Sequence, residues 1–262
     1  MYFVYFLGTA GSGKSTMTKV FGEWLEDHEM SACRVNLDPA VKQLPYFAEV
    51  DVRRYVDYNE LLESGLGPNG AMVKSVDLIL QHATTLRKEI EECLSNYVLV
   101  DTPGQIELFA YRKVTLELLR ELSGGDKSAI VYLIDSTILS KEENQLDPYA
   151  FASLAVLGAS LKIRFRLPQV NVINKVDLLS MEQRFQLDAW LEDMRSIAYS
   201  VGGEEGTLTI RLIEAIEDSG GIGEMLVSSA VTEEGLDSLY AALQRSFYGG
   251  EDYATEEPSA RL

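Results

Sequence analysis

The chain has 262 residues, 46% of them hydrophobic, which suits one large α/β domain carrying insertions. Lys and Arg number 23 against 41 Asp and Glu, a formal net charge of -18 that repels polyanions, so nucleic acid is not an expected partner and any phosphate must be held by local groups. No apolar run approaches the ~18 residues of a membrane span, and Cys33 and Cys93 lack metal-ligand spacing, so a reduced, cytoplasmic chain without a membrane partner is expected.

In chain order, short apolar runs at 2–7, 33–37, 97–100, 129–134, 170–173 and 225–227 read as buried strands. Helix-period segments at about 14–28, 70–94, 105–122, 145–163, 181–199 and 233–246 alternate with them, several starting beside Asp, Ser or Gly as capping requires. This βαβ rhythm predicts a mostly parallel sheet with helices on both faces. Two stretches depart from it. Residues 45–69, with Pro45, Gly65, Gly67 and Pro68, read as an irregular, loop-rich insertion. Residues 200–224 are acidic and bracketed by Gly202-Gly203 and Gly220-Gly221, which predicts an inserted helix centred on 208–216. Residues 1–248 then make a single domain, and 249–262, with Glu251, Asp252, Glu256 and Glu257, read as an acidic flexible tail.

Three motifs sit at strand ends. Gly8-Thr9-Ala10-Gly11-Ser12-Gly13-Lys14-Ser15 fits G-x-x-x-x-G-K-[ST] between an apolar strand and a helix, the context such a phosphate-binding loop requires. The backbone N–H groups of Gly11, Ser12, Gly13 and Thr16 and the helix N-terminus face the anion, Lys14 reaches the β- and γ-phosphates, and Ser15 is a Mg²⁺ ligand. A dinucleotide fingerprint fails, because Thr16 stands where a third small residue is needed. Asp101-Thr102-Pro103-Gly104-Gln105 follows the run 97–100, placing Asp101 at a strand end as a Mg²⁺ partner, Gly104 as an unobstructed N–H for a γ-phosphate and Gln105 to orient the attacking water. Asn174-Lys175-Val176-Asp177 ends another strand. The Asp177 carboxylate can accept from N1–H and the 2-amino group that guanine has and adenine lacks, Asn174 supports the pocket, and the Lys175 stem lies against the base. Ala230, after the last strand, leaves room for the ring and offers an N–H to guanine O6.

With Gly67-Pro68-Asn69, this ordered set resembles the GPN-loop GTPases, a family named for that tripeptide, and the resemblance covers most of the chain. It implies a P-loop GTPase fold and a Mg²⁺-dependent, homodimeric switch hydrolysing GTP to GDP, with protein clients in assembly or transport. It also implies that Asn69 acts across the dimer at the partner's phosphates, and that Asp38 and Gln105 position the hydrolytic water. A guanine-nucleotide-dependent scaffold with little hydrolysis is the alternative. A phosphotransferase lacks a recognisable acceptor pocket, and a Min-type ATPase is disfavoured because Thr9 occupies the place of its additional lysine.

Overall fold

The structure is a computed structural model that describes residues 1–141, 144–219 and 222–248. Strand β1 (Tyr2–Gly8) is followed by β2 (Ala32–Asn36), β3 (Val50–Asp51), β4 (Tyr97–Asp101) and β5 (Lys127–Asp135). A small antiparallel hairpin, β6 (Ser140–Lys141) and β7 (Gln145–Leu146), precedes β8 (Gln169–Asn174) and β9 (Met225–Val227). Seven of these strands form one sheet in the order β3-β2-β4-β1-β5-β8-β9, and every pairing in it is parallel.

Alternation along β1 shows why helices cover both faces. Phe3, Tyr5 and Leu7 point into one apolar cluster while Val4 and Phe6 point into another, so each side of the sheet needs its own cover. The helix Lys14–Asp27 closes one face with Met17, Phe21 and Leu25, joined by Leu239 and Leu243 of the C-terminal helix Leu236–Tyr248. The opposite face takes Val76, Leu86, Leu118 and Phe151 from four further helices. All the predicted strands are present, and the parallel architecture agrees with the sequence pattern.

Several helices depart from their predicted extents. The segment 70–94 is two helices, Gly67–Gln81 and Ala83–Glu92, because His82 leaves helical geometry (φ -97°, ψ 3°) and stacks on Tyr55. The segment 105–122 likewise divides into Ile106–Ala110 and Lys113–Ser123. Here Arg112 is extended and its guanidinium donates to Val73 O at 2.6 Å and to Asp77 at 2.8 Å, which holds the break open. The segment 145–163 is a hairpin strand followed by the helix Pro148–Phe165, and 181–199 is the helix Met181–Glu192 running into the 3-10 turns Met194–Ser200. The stretch 45–69 is more ordered than expected, containing β3, a 3-10 turn and the short helix Tyr58–Leu61. The inserted helix is present as Gly203–Asp218, whereas Gly220, Gly221 and the tail 249–262 lie outside the described residues. Among the described residues no helix is long and apolar enough to cross a membrane.

The loop after β9 depends on one glycine. Gly235 has φ +81°, and a Cβ there would stand 2.1 Å from Val227 O. Gly235→Ala is expected to lower the unfolding free energy by on the order of 2 kcal/mol, through left-handed strain plus the clash. A urea titration tests this; an unchanged midpoint would show that the loop yields without cost.

Candidate nucleotide site

The strands end on one edge of the sheet, where the loops after β1, β2, β4, β5, β8 and β9 meet, as expected for ligand sites in parallel α/β sheets. A cleft of ≈ 430 Å³ opens there, lined by Ala10, Gly11, Gly13, Lys14, Ser15, Thr16, Asp38, Thr102, Gly104 and Lys175. The helix Lys14–Asp27 starts at this cleft with no side-chain cap and no acidic residue in its first turn. Its N-terminal N–H groups and positive dipole end are therefore available to an anion.

The Lys14 ammonium donates to Gly8 O at 3.0 Å and Thr9 O at 2.9 Å, folding back over the loop that a phosphate would occupy. Burial holds its pKa below the usual lysine value, with Asp101 and Asp38 acting the other way. Asp101 is 1% exposed, and burial raises its carboxyl to about 6 against the opposing pull of Ser15, Lys14 and Tyr46. Its Oδ2 accepts from the Tyr46 hydroxyl at 3.1 Å, while its buried Oδ1, close to Ser15, makes no hydrogen bond of ordinary geometry among the described residues. An acceptor in want of a cation beside the Ser15 hydroxyl fits Mg²⁺, which commonly takes one or two carboxylates together with substrate phosphates. Burial also raises Asp38, opposed by the backbone N–H groups of Ala40 and Gly104 and by Lys14.

The base end is built from two loops zipped together. Ser228 N–H donates to Ile173 O at 2.8 Å and Val176 N–H to Ser228 O at 3.2 Å, so the turn after β8 and the turn after β9 share one frame. Asp177 is exposed and its Oδ1 accepts from the Ser229 hydroxyl, whose oxygen in turn accepts from Val231 and Thr232 N–H. Ala230 is buried alongside. Lys175 sits in the left-handed region (φ 64°), with its ammonium on Asp135 Oδ2 at 2.7 Å and its carbonyl accepting from Ser136 Oγ at 2.8 Å. Burial acts to raise the Asp135 carboxyl, but hydrogen bonds from Lys175 and Thr137 outweigh it and hold the group below the usual range.

The phosphate and base ends are locked to each other. Asn174 Nδ2 donates to Ser12 O at 2.9 Å, and a Cβ on Gly13 (φ +94°) would lie 2.4 Å from that nitrogen. Only glycine permits the loop to approach Asn174 so closely.

The family model described as "Conserved hypothetical ATP binding protein" matches residues 6–249. The GPN-loop GTPase PAB0955 of Pyrococcus abyssi is 34% identical over 241 residues, which span 90% of this chain and 93% of that protein. GPN-loop GTPase 3 of Dictyostelium discoideum is 29% identical over 260 residues, 96% of this chain and 89% of its own. The crystal structure of PAB0955, described as a GTPase in apo form, aligns with a TM-score of 0.82 at 31% identity, covering 94% of this chain and 97% of that one. The chain belongs to the GPN-loop GTPase family.

The GPN tripeptide combines a break with a helix start: Gly67 lies outside helical geometry (φ 67°, ψ 167°). Gly67, Pro68 and Asn69 are exposed and open the helix Gly67–Gln81, with Pro68 in the first turn, where its missing N–H costs nothing. Pro68 O accepts from Tyr58 Oη at 3.1 Å, and Asn69 is not among the residues lining the cleft. Gln105 also stands outside that lining. It precedes the helix Ile106–Ala110, and its buried Oε1 has no partner among the described residues. The sequence marks Ser229 only within the Ser228-Ser229-Ala230 stretch after the last strand and gives no role to Tyr46 or Asp135. Of these only Asp135 carries a local signal, an apolar strand running into Asp-Ser-Thr.

Because Asp101 is charged against its burial, its contribution to stability falls as pH rises between the ordinary value of 3.8 and about 6. Asp101→Asn is therefore expected to raise the melting temperature of nucleotide-free protein at neutral pH, by a stability gain on the order of 2 kcal/mol, and to abolish stabilisation by Mg²⁺–GDP. A differential scanning measurement with and without Mg²⁺–GDP reads both effects. A destabilised variant that still responds to Mg²⁺ would remove Asp101 from this role.

Proposed function

We propose that this protein hydrolyses GTP to GDP and phosphate as a Mg²⁺-dependent homodimeric switch in the cytoplasm, acting on the assembly or transport of protein clients. The observation that carries the reading is the hydrogen bond from Asn174 to Ser12 O. It ties the loop after β8 to the loop after β1, which supports reading them as the base and phosphate ends of one nucleotide site. The family model's description speaks of ATP, whereas the relatives' names speak of GTP. Asp177 argues for guanine, because an exposed carboxylate braced by Ser229 accepts from the N1–H and 2-amino donors, a pair that adenine does not have.

Lys14 and the loop amides hold the phosphates, which displace Lys14 from its own carbonyls. Ser15 and Asp101 would hold Mg²⁺, which when bound neutralises charge on the β- and γ-phosphate oxygens. Asp38, raised by burial and beside the Gly104 N–H, is suited to accept a hydrogen bond from water at the γ-phosphate, and Gln105 brings an amide whose oxygen is unspent. Asn69 is exposed and away from the cleft lining, so its amide reaches phosphate from the partner subunit, where it stabilises charge or holds the water.

Asp177→Asn is expected to weaken the preference for GTP over ATP by on the order of 2–4 kcal/mol through lost paired hydrogen bonds; competition titrations with both nucleotides measure it, and unchanged discrimination would remove the guanine assignment. Phosphate release with Mg²⁺–GTP and Mg²⁺–ATP across a dilution series tests the whole reading. Turnover should be specific to GTP, fall on dilution, and be lost in Gln105→Leu. GTP binding with no phosphate release at any concentration would favour the alternative, a dimeric scaffold in which nucleotide serves assembly.

A further inference from the structure

The segment between the phosphate site and the edge of the sheet carries an arginine, Arg53, whose guanidinium is tied to the protein's own groups. Arg53 Nε donates to Asp51 Oδ1 at 3.0 Å, Nη2 to Asp51 Oδ2 at 2.6 Å, and the backbone N–H of Arg53 to Asp51 Oδ1 at 3.0 Å. Nη1 donates to Val41 O at 3.1 Å and more weakly to Lys42 O at 3.4 Å. A guanidinium so committed cannot also approach a phosphate without losing a bidentate ion pair, which argues against a role as a charge-neutralising finger.

The polar chain continues inward from Asp51. Burial acts to raise that carboxyl, but Arg53 and Asn36 outweigh it and keep it charged. Asp51 Oδ1 accepts from Asn36 Nδ2 at 2.9 Å, across the β2–β3 register in which the two residues are paired. Asn36 is fully buried and spends the rest of its amide on a single residue: Nδ2 also donates to Asp38 O at 3.1 Å, and Oδ1 accepts from Asp38 N–H at 3.0 Å. The backbone of Asp38 is thus held on both sides by one side chain. Arg53 braces that side chain through Asp51 and ties down the chain just beyond Asp38 at Val41 and Lys42.

We propose that Arg53 is a positioning residue for hydrolysis, holding Asp38 in its place beside Gly104 through the relay Arg53–Asp51–Asn36. The proposal rests on the reading above that Asp38 holds the hydrolytic water. The relay reaches the cleft only through Asp38, since neither Arg53 nor Asp51 lines it. It acts on the geometry of the reacting atoms, where a displacement of about 1 Å costs on the order of 100-fold in rate.

The test compares full-length wild type, Arg53→Ala, Asp38→Asn and the double variant in GTP turnover, with nucleotide affinity measured separately by titration of a fluorescent GDP analogue. Arg53→Ala should lower kcat on the order of 10- to 100-fold with KM for GTP and GDP affinity unchanged. Guanidinium ion added to the buffer should recover part of the loss, and Arg53→Lys, which keeps the charge but not the fork, should lose less than Arg53→Ala. In the Asp38→Asn background, Arg53→Ala should cost nothing further, since the relay would then have no carboxylate to place. Additive losses, a raised KM with intact kcat, or wild-type turnover in Arg53→Ala would each overturn the proposal while leaving the role of Asp38 standing. Wild-type turnover in Asp38→Asn would instead remove the reading on which it rests. Should Arg53→Ala fail to bind GDP, Arg53→Lys carries the same comparison.

Discussion

The constraint on which the rest of this structure depends is the close packing of Gly13 against Asn174. The two residues belong to different loops, one after β1 and the other after β8, two strands away in the sheet, and they meet only because the parallel strands deliver both loops to one edge. The Asn174 amide takes up a carbonyl of the phosphate loop, and the missing side chain at position 13 makes room for it. A nucleotide laid across this contact has its phosphates and its base at a separation the protein has already set, so less ordering remains to be done on binding.

The same edge concentrates opposed charges. In a chain with net charge -18, the cleft is lined by the cations Lys14 and Lys175, each drawn toward a carboxylate or carbonyl of the protein. Lys14 leans on the loop carbonyls while Asp101 and Asp38 favour its charge, and one oxygen of Asp101 makes no hydrogen bond of ordinary geometry among the described residues. In the proposed reading, a triphosphate with its divalent cation would supply partners to both groups, replacing Lys14's contacts to its own loop. Binding and stability are therefore coupled through buried charge, as expected where a site is built for an anion inside an acidic protein.

The stretch between the second strand and the GPN tripeptide is tied to this frame by side chains. Tyr46 reaches Asp101, Arg53 reaches Asp51 and the carbonyls after Asp38, and Tyr58 reaches Pro68 of the tripeptide. Each contact links a group near the phosphates to a segment on the exposed side. In the proposed mechanism, these contacts are the route by which a change at the γ-phosphate would reach the exposed segment that carries Asn69.

Much of this was legible in the sequence. The apolar runs named the strands because a strand buried on both faces admits little else, and the phosphate loop and the Asn174–Asp177 signature were readable because their chemistry depends on residues adjacent in the chain. Helix breaks at His82 and Arg112 were not, since hydrophobic periodicity runs through them and the interruption comes from stacking on Tyr55 and from an ion pair with Asp77. Nor did composition reveal that Gly67-Pro68-Asn69 opens a helix, because a Gly-Pro pair suits a turn and a helix start equally well. By itself the sequence marked out the candidate groups for phosphate and guanine; the tertiary structure decided that Asp135 restrains Lys175, that Tyr46 supports Asp101 and that Arg53 pairs with Asp51. The first two pairs lie far apart in the chain, and only the order of the strands and the burial between them bring the partners within reach of each other.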